Sequence, residues 1–169
     1  MMPEKRTIKR ARRAKRAGKS PSSQAGEFVR EEIHHIREGK HGARSTKQAI
    51  AIGLSKARRS GVKLPPPAKG EATERTRKNA ASAYRRGQSQ KRTSPTRARA
   101  TRAALKREGR SAASRSALSR QARSASRSRT ASERSQAARK AARTKGPAKR
   151  SAAARKAART RARRRSTSR

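Results

Sequence analysis

Most of the large apolar residues in this chain fall between residues 20 and 67. Ala25, Phe28, Val29, Ile33 and Ile36 follow Ser20-Pro21. Val29, Ile33 and Ile36 keep the i, i+4, i+7 spacing of one helical face. A capping hydroxyl followed by Pro opens a helix well, Glu27, Glu31 and Glu32 suit the positive end of its dipole, and Gly39 suits its C-terminal stop. The pattern predicts a helix over about 21–38. Ser45-Thr-Lys-Gln48 fits a capping box and predicts a second helix over about 46–60. Ile50, Leu54 and Ala57 share a face there, and Ala49, Ala51 and Gly53 keep the helix slim. Gly61 suits a left-handed cap with Val62 packing back. Leu64 adds to this before Pro65-Pro66-Pro67 ends the helix and starts a stiff linker. Phe28, Val29, Ile33, Ile36, Ile50, Leu54, Ala57, Val62 and Leu64 form the expected core of a helical hairpin. At this size it sits near the lower limit for independent folding.

Outside that stretch the pattern thins. Glu71 and Glu74 lead and Arg85, Arg86 and Gly87 trail, a charge order that suits a third helix over about 71–86. Tyr84 on its Ala stripe either docks on the hairpin or stacks on a base. Residues 1–19 and 89–169 are Arg, Lys, Ala, Ser and Thr with little else. The apolar fraction is 29% and mostly Ala, with one Phe, one Tyr and no Trp. Such segments bury too little to offset their ordering entropy. The expected class is mostly α and disordered: a disordered basic arm (1–19), the hairpin module (20–67), a linker with the candidate third helix (68–88) and a disordered basic tail (89–169). One repeat stands out in the tail. Ser135-Gln-Ala-Ala-Arg-Lys-Ala-Ala-Arg-Thr144 returns as Ser151-Ala-Ala-Ala-Arg-Lys-Ala-Ala-Arg-Thr160. Each copy has the residues to become helical once phosphates neutralise its charge.

Charge decides the partner class. Lys plus Arg number 52 against nine acids, a formal +43. Residues 71–169 hold 33 bases and four acids, and residues 1–20 nine bases and one acid. Such a chain calls for polyanions, nucleic acid first. No apolar run approaches transmembrane length, so the chain is not expected to span a bilayer; anionic membrane ranks a distant second to nucleic acid and no membrane partner is expected, and the arm lacks the apolar core of a secretory signal. Cys is absent, which removes disulfides, thiolate metal sites and thiol catalysis. No nucleophile elbow, P-loop or dinucleotide fingerprint occurs. Enzymatic activity, a cofactor and a small-molecule substrate are therefore not expected.

The candidate contacts to nucleic acid are basic side chains. In the loop Gly39-Lys40-His41-Gly42-Ala43-Arg44, two glycines allow close backbone approach, and Lys40, His41 and Arg44 beside a helix N-terminus can hold a phosphate. Lys47, Lys56, Arg58, Arg59, Arg85 and Arg86 follow on the helices. Arg97 lies in Ser94-Pro-Thr-Arg, near a minor-groove motif of histone tails. Arg139, Lys140, Arg143, Arg155, Lys156 and Arg159 come from the repeat, and Arg163, Arg164 and Arg165 close the tail. Glu31-x-x-His34 and Glu32-x-x-His35 have the spacing of helical metal ligands, but the second helix carries no carboxylate to complete a site. His34, His35 and His41 are read as exposed, and no metal is expected.

The run QAGEFVREEIHHIREGKHGARSTKQAIAIGLSKARRSGVKLPPP resembles a small bacterial family of unknown function. Its hallmark is the block STKQAIAIGLSKAR followed by Gly and a Pro run, with basic flanks. Proteins of that kind tend to be labelled DNA-binding or plasmid-stabilisation proteins. The resemblance covers the central quarter of the chain and extends weakly to Tyr84. It implies a bacterial origin and nucleic-acid binding, and brings no site residues. The tail is similar in composition to histone H1 and bacterial H1-like proteins. The expectation is a histone-like, nucleoid-associated protein of the cytoplasm that binds duplex DNA without sequence preference. Two alternatives stand beside it: an RNA- or ribosome-associated basic protein, and a protein-interaction module of a plasmid stability or stress system, anchored by its tail. Self-association or a protein partner would use the hairpin's apolar face.

Overall fold

The computed structural model describes residues 3–89 and 94–167, without the side chains of Arg164 and Thr167. These residues form seven α-helices: α1 (Lys5–Arg16), α2 (Pro21–Arg37), α3 (Thr46–Arg59), α4 (Glu74–Gln88), α5 (Pro95–Lys106), α6 (Arg115–Arg127) and α7 (Ala131–Thr167), with a 3₁₀ turn at Ser111–Ala113 between α5 and α6. The chain divides into two units, Met1–Gln121 and Ala122–Arg169. Among the described residues no helix is long and apolar enough to cross a membrane.

The expected hairpin is present, with the expected punctuation. Ser20 Oγ accepts from the Ser23 amide, and Pro21 begins α2. Gly39 takes a positive φ of 76°, with its amide on Ile36 O and the Lys40 amide on His35 O. Gly61 does the same at φ 82°, and the Val62 amide returns to Ala57 O. At the start of α3, Ser45 Oγ accepts from the Gln48 amide. The Gln48 side chain answers one residue earlier than a capping box requires, on the Arg44 amide at 2.7 Å.

The helices meet through small residues. Ala49, Gly53 and Ala57 are the buried stripe of α3, while Ile50 and Leu54 are only partly covered. A Cβ at Gly53 would lie 2.6 Å from Val29 Cα. The absent side chain is therefore what lets α2 and α3 touch backbone to backbone. One core cluster joins Ala11, Ala25, Phe28, Ala57 and Val62, with Ile8, Leu54 and Leu64 against it. A second joins Ile33, Ile36, Ala43, Ala49, Ala112 and Ala113, with Val29 and Leu118 against it. Phe28 and Ile36 are fully buried, each contributing about 1.5–3 kcal/mol of apolar transfer.

The expectation of a small hairpin between disordered flanks is corrected by the order of both flanks. The arm forms α1, which packs on α2 through Thr7, Ala11 and Ala14. That i, i+4, i+7 stripe holds no large side chain, so a search for large apolar residues passes over it. Residues 105–113 also fold back on the hairpin. The Gly42 amide donates to Leu105 O at 2.8 Å, the Ala43 amide to Gly109 O at 3.0 Å, and Thr46 Oγ1 to Ala112 O at 2.7 Å. From the other side, Arg37 Nε donates to Ala113 O.

The third helix starts at Glu74 rather than Glu71, with Thr73 as its cap. Glu71 instead closes a turn by accepting from the Ala68 amide. α4 docks on α3 and buries Ala80, Ala83 and Gly87; Tyr84 is half-buried beside them. The Pro run does not hang as a free linker. Arg58 donates to Leu64 O and Pro65 O, and Arg77 to Pro67 O.

The tail is helical without a core, because Ala, Arg and Lys favour helix locally. Thr130 and Glu133 cap α7 reciprocally: the Thr130 amide donates to Glu133 Oε2, and the Glu133 amide to Thr130 Oγ1. Gly146, at φ 71° and ψ 162°, breaks the helix before Pro147. It separates the two repeat copies, which fold alike: Thr144 Oγ1 donates to Lys140 O and Thr160 Oγ1 to Lys156 O.

Candidate functional site

Two arrangements of charge stand out in Met1–Gln121, one buried and one exposed. The buried one begins with the face that α2 turns toward α3. Glu31, Glu32 and His35 lie on that face, and all three are buried. Lys56 reaches them from α3, with Nζ 2.6 Å from Glu32 Oε2 and 3.5 Å from Glu31 Oε1. His41 enters from the loop after α2, with Nε2 3.2 Å from Glu32 Oε1. Neither the His41 nor the Glu32 side chain has any exposed surface (0% each). None of these inward-facing contacts has hydrogen-bond geometry. Both Glu32 oxygens, Glu31 Oε1, His35 Nδ1, His41 Nε2 and Lys56 Nζ are buried without a hydrogen-bond partner.

The outward atoms of the same residues are well bonded. His35 Nε2 lies 2.8 Å from Glu4 Oε1, and the Glu4 amide donates to Glu31 Oε2 at 3.2 Å. His41 Nδ1 lies 3.0 Å from Gly42 O. The His35 hydrogen bond, with help from Arg6, holds the Glu4 carboxyl down to about 2. Glu4 is therefore a carboxylate at neutral pH, and it ties α1 across the open side of the cluster.

Sequence reasoning placed these residues elsewhere. His35 and His41 were expected at the surface, and His41, Lys56 and Arg58 on phosphates; all three of the latter are buried. The reason is compensation. Lys56 has two carboxylates to enter the interior with, and Arg58 has two carbonyls. Arg58 lies below the usual guanidinium range because burial desolvates it. Only His34 remains exposed as expected, 3.6 Å from Glu38. The spacing Glu32-x-x-His35 was a usable signal for the cluster. What the sequence could not show is that His41, six residues further on, turns back to meet it.

The loop expected to hold a phosphate is covered by its own chain. A Cβ at Gly42 would overlap the carbonyls of Glu108 and Gly109, so the glycine admits residues 105–109 and not a ligand. Lys40 is engaged by Glu38 at 2.9 Å and Glu4 at 3.5 Å, and its pKa is raised by the Glu38 hydrogen bond. Arg44 and Lys47 are exposed.

The exposed arrangement is an arginine patch. Gly87 lies inside α4 and does not terminate it; a Cβ there would overlap Arg58 O and stand 3.1 Å from Arg59 Cα. The C-terminal ends of α3 and α4 consequently meet backbone to backbone. Arg86 and, from α5, Arg97 lie close enough to act on Arg59. Arg59 is pushed below the usual guanidinium value, first by desolvation of its head group and then by the charges of Arg86 and Arg97. No acid contributes to its balance. Arg85 is exposed next to this patch in sequence.

In Ala122–Arg169 the repeat sets further bases in matched register. At 100° per residue, Arg139, Lys140 and Arg143 share an arc of about 100°, and Arg155, Lys156 and Arg159 share the same arc of the second copy. All six are exposed, as are Arg163 and Arg165. The Arg164 side chain lies outside the described residues.

No curated protein and no solved structure matches the chain. Residues 6–68, which hold all of α1 but its first residue, α2, α3 and the Pro run, match the model of a family of unknown function, DUF6496.

Proposed function

We propose that the chain binds nucleic acid through its phosphates without sequence preference, duplex DNA first, as a histone-like nucleoid-associated protein. The observation that carries this reading is that the charges of Arg86 and Arg97 both bear on Arg59, with no acid among the groups that set its balance. Like charges held together cost free energy until an anion joins them, and Arg meets phosphate through a planar fork. The exposed helices of the tail add to this. Residues 147–167 carry nine bases, one per ~3.5 Å of helix axis, close to the ~3.4 Å spacing of phosphates along one DNA strand. Binding then draws on counterion release, and its affinity falls steeply with salt.

The test is fluorescence anisotropy of the full chain on a labelled duplex over a salt series. The expected plot of log K against log salt is steep. Arg59→Gln, Arg86→Gln and Arg97→Gln together reduce its slope by about 2–3, at roughly 0.9 for each phosphate left without its arginine. A salt-independent affinity overturns the reading. A triple variant with an unchanged slope removes the patch from it. Competition with structured RNA decides between duplex DNA and an RNA-associated role.

A further inference from the structure

We infer that Glu32, His35 and His41 form a binding site for a single divalent transition-metal ion of the zinc class, independent of nucleic-acid binding. One ligand atom from each of these buried residues lies within 4.8 Å of the others. The ring nitrogens are already sorted for this task. A carbonyl oxygen only accepts, so His41 Nδ1 donates to Gly42 O and Nε2 is the nitrogen that faces Glu32. The Glu4 carboxylate likewise only accepts, so His35 Nε2 donates to it and Nδ1 faces the cluster, 4.0 Å from Glu31 Oε1. This is how metal-binding histidines are held: the outer N–H on a carboxylate or carbonyl, the inner nitrogen free.

The inner atoms make no hydrogen bond, and of the candidate ligand atoms Glu32 Oε2 is paired with the Lys56 ammonium at 2.6 Å. His41 Nε2, His35 Nδ1 and both Glu32 oxygens are buried without hydrogen bonds. His41 Nε2 faces Glu32 Oε1 at 3.2 Å without hydrogen-bond geometry, a contact that calls for a shared cation. The charge also asks for one. Glu31 and Glu32 bring two carboxylates and Lys56 one ammonium, all nearly inaccessible to water. A two-histidine, one-carboxylate set suits zinc and its neighbours, and leaves one position open in a tetrahedral site. Tetrahedral ligands at about 2.0–2.1 Å from zinc stand roughly 3.3 Å apart, so side-chain rotation closes the site. A cleft of about 180 Å³ between α1 and α2, lined by Glu4, Glu31 and His35 among others, reaches the His35 side of the cluster. Lys56 is the competitor, an ammonium beside the same carboxylate.

The experiment uses the full chain, stripped with a chelator and offered one equivalent of Zn²⁺, with bound metal measured after gel filtration. Co²⁺ is the spectroscopic probe, because its visible absorption intensifies on four-coordination. About one ion per chain is expected, and His34→Gln, outside the cluster, retains it. Glu32→Gln and His41→Gln lose the site, and Glu4→Gln weakens it about 10–100-fold by freeing the His35 ring. Lys56→Gln removes the competing cation and tightens binding. Wild-type chain that retains no zinc overturns the proposal, as does undiminished binding by folded Glu32→Gln or His41→Gln. If those two variants do not fold, Lys56→Gln decides: unchanged or weaker zinc affinity in that variant means the cluster is an ion-pair network, with a proton rather than a metal between His41 and Glu32.

Discussion

Glycine-to-alanine substitution at two helical positions should move stability in opposite directions. At Gly26, on the exposed side of α2, a Cβ meets nothing within 4 Å. Gly26→Ala therefore gains helix propensity alone, up to ~1 kcal/mol. At Gly53 the same methyl would sit 2.6 Å from Val29 Cα and 2.9 Å from Val29 N. These are backbone atoms, and no rotamer change relieves them. Contact at ~3.5–4.0 Å requires α2 and α3 to part by about 1 Å, a gap that forfeits a quarter to a half of the dispersion energy at each touching pair. Overpacking of this kind costs ~1–3 kcal/mol, and the upper part of that range, ~2–3 kcal/mol, applies where backbone atoms block relief; it is only partly offset by the ~1 kcal/mol gained in propensity. The expected net loss is ~1–2 kcal/mol, so the two variants should stand ~2–3 kcal/mol apart. Urea denaturation followed by far-UV circular dichroism measures this, and calorimetry should show Gly53→Ala melting several degrees below wild type. If Gly53→Ala equals or exceeds wild type in stability, α3 does not lie on α2 in this register, and the geometry of the buried cluster goes with it.

Three further outcomes are expected. Leu105→Ala, at a buried position whose carbonyl holds the Gly42 amide, should cost ~2–4 kcal/mol and accelerate hydrogen exchange at Gly42 and Ala43. Phe28→Ala, in a core otherwise rich in Ala, should cost ~3–5 kcal/mol, read from the same urea titration; a loss below ~1 kcal/mol would contradict its burial. The Glu133 carboxyl is held below its ordinary value of 4.5 by the Thr130 amide and hydroxyl. The unfolded chain then binds the more protons at acid pH, so the cap's contribution is complete above about pH 4.5 and lost as pH falls through the lowered value. Amide exchange in the first turn of α7 should rise with acidification in wild type and be pH-insensitive, after correction for intrinsic rates, in Glu133→Gln.

Much of the hairpin was legible because its signals are local. Ser20-Pro21, Ser45 to Gln48, Gly39 and Gly61 act on backbone groups within a few residues, and each works about where the chain order places it. The capping box Thr130–Glu133 was equally local and equally readable, though the surrounding low complexity hides it. Helix in the tail is a local property too, because an Ala/Arg/Lys helix needs no core. The expectation of disorder there rested on burial alone.

What the tertiary structure decided is which side chains leave water. Ile50 and Leu54 looked like the face of α3, yet Ala49, Gly53 and Ala57 pack against α2, since the close approach permitted by Gly53 buries more than a larger residue held further off. Lys56 and His41 looked like phosphate contacts, yet carboxylates from another helix make their burial tolerable. Arg59 and Arg86 are distant in sequence and come together because Gly87 lets α4 dock on the end of α3, and Arg97 adds its charge from α5. The amino-acid sequence alone determined the α2–α3 hairpin, its caps and a net charge of +43, since propensity, capping and charge belong to single residues and their neighbours. The buried Glu–His–Lys cluster and the arginine patch depend on pairs far apart along the chain, and only folding brings those pairs within reach.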